Sequence, residues 1–121
     1  IRTSTLTNFM LAYTDLNRRQ LLRRYRTFND FSSGFEIDNG TIEELRAAGE
    51  KNGVKFDQAQ FDVSASEIRR VMKALVARDL WDVNEYFMVV NQDDYAILRA
   101  LEVLNDPELY DRLLGYGKEA G

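Results

Sequence analysis

The sequence has 121 residues, of which 45% are hydrophobic and 30% are charged, and its formal net charge is −4. This size and balance are typical of one globular domain with a single core. The absence of cysteine and histidine excludes disulfides, thiolate chemistry and histidine-dependent catalytic triads. The acidic balance argues against a nucleic-acid-binding domain. We also find no transmembrane segment and no signal-peptide pattern.

The first predicted helical region starts near Leu6 and continues to Tyr25, because apolar residues recur there at helical spacing. We expect Thr14 or Asp15 to divide this region into two helices. Their side chains compete with the helix for backbone hydrogen bonds.

Residues 26–40 predict a loop, since Ser32, Ser33 and Gly34 are poor helix formers. The pattern is also compatible with one very short strand near residues 35–37. Four apolar side chains are expected to anchor this loop to the core: Phe28, Phe31, Phe35 and Ile37.

Two capping boxes predict helix starts further along the chain, Thr41 with Glu44 and Ser64 with Glu67. Gly53 is expected to end the first of these helices in the left-handed conformation. The second helix has the strongest signal of the sequence. Its apolar residues follow the spacing of a single buried face: Ile68, Val71, Met72, Leu75 and Val76.

A further helix is predicted over residues 81–90, with Trp81, Glu85 and Met88 on one row. Asn91 is the predicted cap of the next helix, and the pair at residues 106–107 predicts another start. We therefore predict an all-α fold, a compact bundle of about five or six helices in a single domain over residues 1–121.

The candidate interface or structural residues lie around the only tryptophan, Trp81. Arg78 is surrounded by apolar residues. Either it pairs with a carboxylate such as Glu85 or stacks on Trp81, or it binds the carboxylate of a peptide. The structural alternative is favoured, because arginine commonly buries its stem. Tyr86 and Phe87 cannot point the same way on a helix, so we expect one to be exposed or at a domain junction.

A basic run in the first region can bind phosphates or an anionic membrane, or it can form a solvated helix face that docks to the acidic remainder. The solvated face is favoured, with residues 21, 22 and 25 pointing inward. The run consists of Arg18, Arg19, Arg23, Arg24 and Arg26.

No catalytic, cofactor-binding or metal-binding residue is predicted. The acidic stretches at 36–40 and 91–94 do not have the ligand spacing of a calcium loop. Ser64 and Ser66 have Lys73 further along the chain, but the glycine-flanked turn that presents a nucleophilic serine is missing.

Several segments resemble the C-terminal helical region of bacterial C-terminal processing peptidases, the tail-specific serine proteases, and most closely the exported members from Bacteroides-like bacteria. In that region a Lys-Ala-Leu-hydrophobic-Ala-Arg-x-Leu-Trp segment is followed by Glu-Tyr-Phe and Asn-x-Asp-Asp. The matching segments are residues 16–31, 53–57, 64–72, 73–81, 85–87 and 91–94.

The resemblance implies that the chain, which begins Ile-Arg-Thr, is a fragment of a longer peptidase. Its Ser–Lys dyad would lie outside these residues, and no metal would be needed. The fragment would be a non-catalytic accessory domain that packs on the protease core and assists assembly or access of substrate tails. The parent would be exported, to the periplasm, and would act on polypeptides.

The alternative is a free-standing helical interaction module. It would bind a peptide or a partner helix in an exposed groove near Tyr86 and Tyr95.

Overall fold

The computed structural model describes residues 5–51, 53, 58–90, 99–100 and 103. These residues form six bounded helices and no strand. The helices are α1 (Thr5–Arg24), α2 (Phe28–Gly34), α3 (Asn39–Lys51), α4 (Gln58–Val63), α5 (Ala65–Leu80) and α6 (Val83–Val89). The predicted all-α bundle is confirmed. The helix starts predicted at Asn91 and at residues 106–107 lie outside the described residues.

Helix α1 is continuous, so the predicted break at Thr14 or Asp15 is wrong. The Thr14 hydroxyl donates to the carbonyl oxygen of Met10 at 2.8 Å and is fully buried. Because this bond lies within the helix, the side chain is satisfied without interrupting the backbone ladder.

Helix α2 occupies the segment that was predicted to be a loop, and the strand near residues 35–37 is absent. Thr27 caps α2, since its hydroxyl accepts from the Asp30 backbone N–H at 3.1 Å. Phe35 and Ile37 follow α2 in an extended linker, and both are buried. The aromatic anchors are therefore confirmed, although a helix and not a loop presents Phe31 to the core.

Helix α3 begins at Asn39, two residues before the predicted start, and its cap is Asp38 and not Thr41. The Asp38 carboxylate accepts from both the backbone N–H and the hydroxyl of Thr41, each at 2.8 Å. The capping box with Glu44 is therefore wrong. Gly53 has φ +85°, as predicted for a glycine that follows a helix.

Helix α5 starts at Ala65, as predicted, but its capping box does not form. Ser64 follows α4 directly, and its N–H donates to the Gln60 carbonyl oxygen at 3.0 Å. Its backbone has φ −94° and ψ 11°, and its side chain makes no capping hydrogen bond. A capping serine normally has an extended backbone, which aims its hydroxyl at the helix N–H groups.

The core is built around α5, which packs against α1 and α6 and more lightly against α4. Its predicted apolar face is confirmed, because all five side chains on that face are fully buried. Since α5 packs against α1, α4 and α6, a change on this face disturbs several helices at once.

Candidate functional site

Trp81 is the C-cap residue of α5, and its side chain is half-buried against α2. Its ring lies edge-on to Phe31 and Phe28, with centroids 5.4 and 5.8 Å apart. Trp81 therefore connects the end of α5 to α2.

Phe31 is the centre of this aromatic cluster. Its ring stacks on Phe35 at 4.7 Å and meets Tyr25 edge-on at 5.9 Å. Lys73 Nζ lies 5.8 Å from the Phe31 ring centroid and donates to the Ser32 carbonyl oxygen at 2.8 Å. Lys73 is thus engaged with α2, and its contacts within the described part of the chain do not include Ser64 or Ser66.

Arg78 pairs with Asp79, its neighbour in the chain, and not with Glu85 or Trp81 as expected. Arg78 Nε and Nη2 each lie 3.4 Å from Asp79 Oδ1. The Arg78 side chain is 18% exposed, which fits a buried stem with a locally paired head.

Asp79 lies where α5 crosses α1, and its side chain is only 8% exposed. Its Oδ2 atom is buried and has no hydrogen-bond partner among the described residues. Burial raises the pKa of Asp79, and the neighbouring Arg78 opposes that shift. From α1, Arg18 donates to the Asp79 backbone carbonyl oxygen at 3.0 Å and pairs with Asp15 at 3.0 Å.

The helix predicted over residues 81–90 is shorter in the structure. Asp82 caps α6, so Trp81 lies outside that helix and shares no row with its residues. Tyr86 is 2% exposed and Phe87 is half-buried, with ring centroids 5.1 Å apart. Glu85 is half-buried in the first turn. Met88, predicted to share the row of Trp81, is 67% exposed.

Tyr86 itself is buried and does not line an exposed groove of the kind that would favour the interaction-module alternative. Tyr95, the other residue near which that groove is expected, lies outside the described residues.

An open groove that sequence reasoning missed lies between the second half of α1 and the linker after α2. We call it the α1 groove, and its volume is about 580 Å³. Leu21 and Phe35 are largely buried at its base. Its other lining residues are Tyr13, Asn17, Gln20, Arg23, Arg24, Tyr25 and Glu36. One pattern in the sequence could have indicated this groove: polar residues recur at helical spacing at positions 13, 17, 20 and 24.

The basic run divides into three environments. Arg18 is held at the α1–α5 crossing, Arg23 and Arg24 line the α1 groove, and Arg19 and Arg26 are exposed away from it. Four of the five arginines are therefore solvent-exposed, as the favoured interpretation predicted, whereas Arg18 contacts α5.

Three leucines of α1 are exposed, and we call them the α1 docking face. Leu16 is 86% exposed, Leu11 43% and Leu22 37%. Leu22 was predicted to point inward. The opposite side of α1 buries Leu6 and Met10 almost completely.

Within the described ranges, no three acidic side chains lie close enough together to hold a metal ion. In the same part of the chain, no helix combines the length and apolar character that crossing a membrane requires.

Residues 1–82 match the model of a family described as a family of unknown function, DUF8443. The chain belongs to this family. The match ends at Asp82, so it includes α1 to α5 and stops at the cap of α6. No curated protein and no solved structure matches the chain.

Proposed function

We propose that the chain is a non-catalytic accessory domain of an exported, periplasmic C-terminal processing serine peptidase. It packs on the protease core of its own parent chain and assists assembly or the access of substrate tails. The proposal rests on the resemblance of residues 73–81 and 85–87 to that family. In the fold these residues belong to α5, its C-cap and α6, which pack against each other.

The observation that carries the docking role is the α1 docking face. A helix that buries one side in its own domain normally exposes polar residues on the other side. Leu16 is 86% exposed on that other side, and Leu11 and Leu22 are exposed on a separate row about a third of a turn around the helix. We take these three large exposed apolar side chains of one helix as the surface that the protease core covers.

The test uses a longer chain from the same gene, which contains the upstream region and residues 1–121. Cleavage of an unstructured polypeptide is measured for this chain and for a version that lacks residues 1–121. We expect the longer chain to cleave, and the deletion to change its rate, its substrate choice or its assembly. An upstream region without peptidase activity would overturn the proposal.

A triple variant of the longer chain, Leu11→Ser, Leu16→Ser and Leu22→Ser, tests the docking face directly. Its matched control is Val63→Ser with Met88→Ser, because these apolar side chains are also exposed but lie on α4 and α6. We expect the leucine variant to behave like the deletion and the control to behave like the wild type. Circular dichroism confirms that both variants remain helical. Equal effects of the two variants would contradict docking through α1.

A second candidate is a free-standing module that binds a partner helix. It is favoured by the positions of Leu11 and Leu22, which are eleven residues apart and so lie on one row of α1 after about three turns. Such rows are typical of helix–helix contacts. This candidate is selected if the gene encodes no peptidase region and the leucine variant still fails to bind a helical partner that the wild-type chain binds.

A further inference from the structure

We propose that the α1 groove binds an acidic segment of a partner protein in an extended conformation. The inference does not depend on the peptidase proposal, because it concerns binding by the 121-residue chain itself. It rests on the residues that line the groove, on their spacing and on their charges.

The cationic end of the groove is formed by Arg23 and Arg24, whose guanidinium groups form no ion pair with a described carboxylate. Arg24 Cζ lies 5.7 Å from the centroid of the Tyr25 ring. Arginine side chains without a partner are suited to bind a carboxylate through two parallel hydrogen bonds.

The wall next to these arginines is rigid and aromatic. The Tyr25 ring lies edge-on to Phe31 and Phe35, with centroids 5.9 and 6.0 Å apart. Its hydroxyl donates to the Gly34 carbonyl oxygen at 3.4 Å, and a side chain added at Gly34 would approach Tyr25 Cε1 to 3.1 Å. The ring is therefore held in place, and it offers a preformed apolar surface to a ligand side chain.

The length of the groove fits a short peptide. Tyr13, Asn17, Gln20 and Arg24 lie on one row of α1, which spans about 16 Å at the rise of an α-helix. An extended chain advances about 3.3 Å per residue, so about five residues cover this row. Asn17 uses its Nδ2 to donate to the Tyr13 carbonyl oxygen at 2.8 Å, which leaves its side-chain oxygen to accept from a peptide N–H.

The two ends of the groove have opposite electrostatic character. At the Tyr13 end, burial raises the pKa of the Tyr13 hydroxyl, and the carboxylates of Asp38 and Glu44 raise it further. The carboxylates of Asp38 and Glu44 therefore disfavour a ligand's negative charge near Tyr13. Arg23 and Arg24 favour it at their end, against the opposing charge of Glu36, which also lines the groove. This polarity selects a segment whose acidic residues are grouped at one end.

A small anion alone is a poor fit. Both arginines are exposed, and an exposed ion pair contributes less than about 1 kcal/mol. Binding therefore requires the apolar contacts with Tyr25 and the base of the groove in addition to the charge. An acidic peptide supplies both, which is a known mode of recognition by arginine clusters.

The test measures fluorescence anisotropy of a labelled heptapeptide with blocked ends. It carries two adjacent glutamates, then a leucine, then polar uncharged residues, and its twin has glutamines in place of the glutamates. The 121-residue chain is titrated to about 1 mM. We expect the glutamine twin to bind at least tenfold more weakly, and added salt to weaken the acidic peptide.

The decisive variant is R23Q/R24Q, and its matched control is R19Q/R26Q, which removes the same charge from exposed arginines that do not line the groove. We expect at least a tenfold loss for the first and less than a twofold change for the second. Equal binding of the two peptides, no binding at all, or equal losses in the two variants would overturn the inference. So would binding to phosphatidylserine vesicles that depends equally on all four arginines.

Discussion

Phe31 stacks on Phe35 with their ring centroids 4.7 Å apart and only 13° between the ring planes. Phe31 belongs to α2, whereas Phe35 is its C-cap and starts the extended linker. The stack therefore fixes the point where the chain leaves the helix. Because Trp81 and Lys73 of the α5 region contact the same Phe31 ring, this point is also attached to the central helix.

We expect Phe31→Ala to destabilise the domain by about 3–5 kcal/mol, the usual range for a fully buried phenylalanine. The Phe31 side chain is 0% exposed, and its ring contacts four other aromatic rings of the cluster. The measurement is urea unfolding followed by circular dichroism. Phe28→Ala is the control, because Phe28 lies on the same helix but is only partly buried. A Phe31 variant no less stable than the Phe28 variant would contradict the central position of Phe31.

Trp81→Ala should cost about 2–3 kcal/mol, which is less than the 3–5 kcal/mol expected for a completely buried aromatic side chain. The reason is that Trp81 is half-buried and loses mainly its edge contacts with Phe28 and Phe31. Thermal unfolding measured by circular dichroism checks the value. Trp81→Phe retains an aromatic ring and should recover about half of the loss. A wild-type melting temperature for Trp81→Ala would show that these contacts do not stabilise the fold.

Asp38→Ala should destabilise α3 by about 1 kcal/mol at neutral pH, as the loss of a helix N-cap does. The hydrogen bonds from the Thr41 backbone and hydroxyl lower the pKa of Asp38, with a smaller contribution from Arg69. A lowered pKa in the folded state gives stability that is present above the unfolded pKa and lost as the pH falls through the folded one.

The difference between wild type and Asp38→Ala should therefore shrink as the pH falls below about 4. Urea unfolding at several pH values measures it. Glu36→Ala is a suitable control, since Glu36 is an exposed acidic residue of the same linker. A difference that does not vary with pH would show that the carboxylate is not the capping group.

Asp79→Asn should show the opposite dependence on pH. Burial raises the pKa of Asp79, so its protonated form is favoured in the folded state. Its contribution to stability is complete below the unfolded pKa of about 3.9 and is lost as the pH rises through the folded value. The wild type should therefore lose stability relative to Asp79→Asn as the pH rises from about 3 to 7.

The same unfolding series checks this prediction, with Glu50→Gln as a control at an exposed position of α3. A wild type that gains stability relative to Asp79→Asn over that range would mean that the attraction of Arg78 outweighs burial.

Several features of the fold follow from local patterns. The spacing of Ile68, Val71 and Met72 predicted the buried face of α5, because a helix with apolar residues on one side can remove them from water only by packing that side. Gly53 was predicted from its backbone freedom alone, and its φ of +85° agrees. Such signals lie within one element, so the sequence is sufficient to find them.

Helix α2 and the partner of Arg78 required the tertiary structure. Relative to alanine, serine and glycine each disfavour a helix by about 1 kcal/mol or less. Burying Phe31 contributes more stabilisation than any one of these residues costs. Packing therefore overrides the poor propensity of residues 32–34. Arg78 has several carboxylates within reach along the chain, Asp79 among them, so the sequence does not single out the partner that the structure shows.

The sequence by itself determined the helical class, the inner face of α5 and the aromatic anchors, because each depends on periodicity or on the burial of large apolar side chains. The tertiary structure alone decided the α1 groove and the α1 docking face. Arg24 and Glu36 are distant in sequence, and they share a groove because α2 reverses the chain between them. Whether Leu16 faces the core or the surface depends on which side of α1 meets α3 and α5.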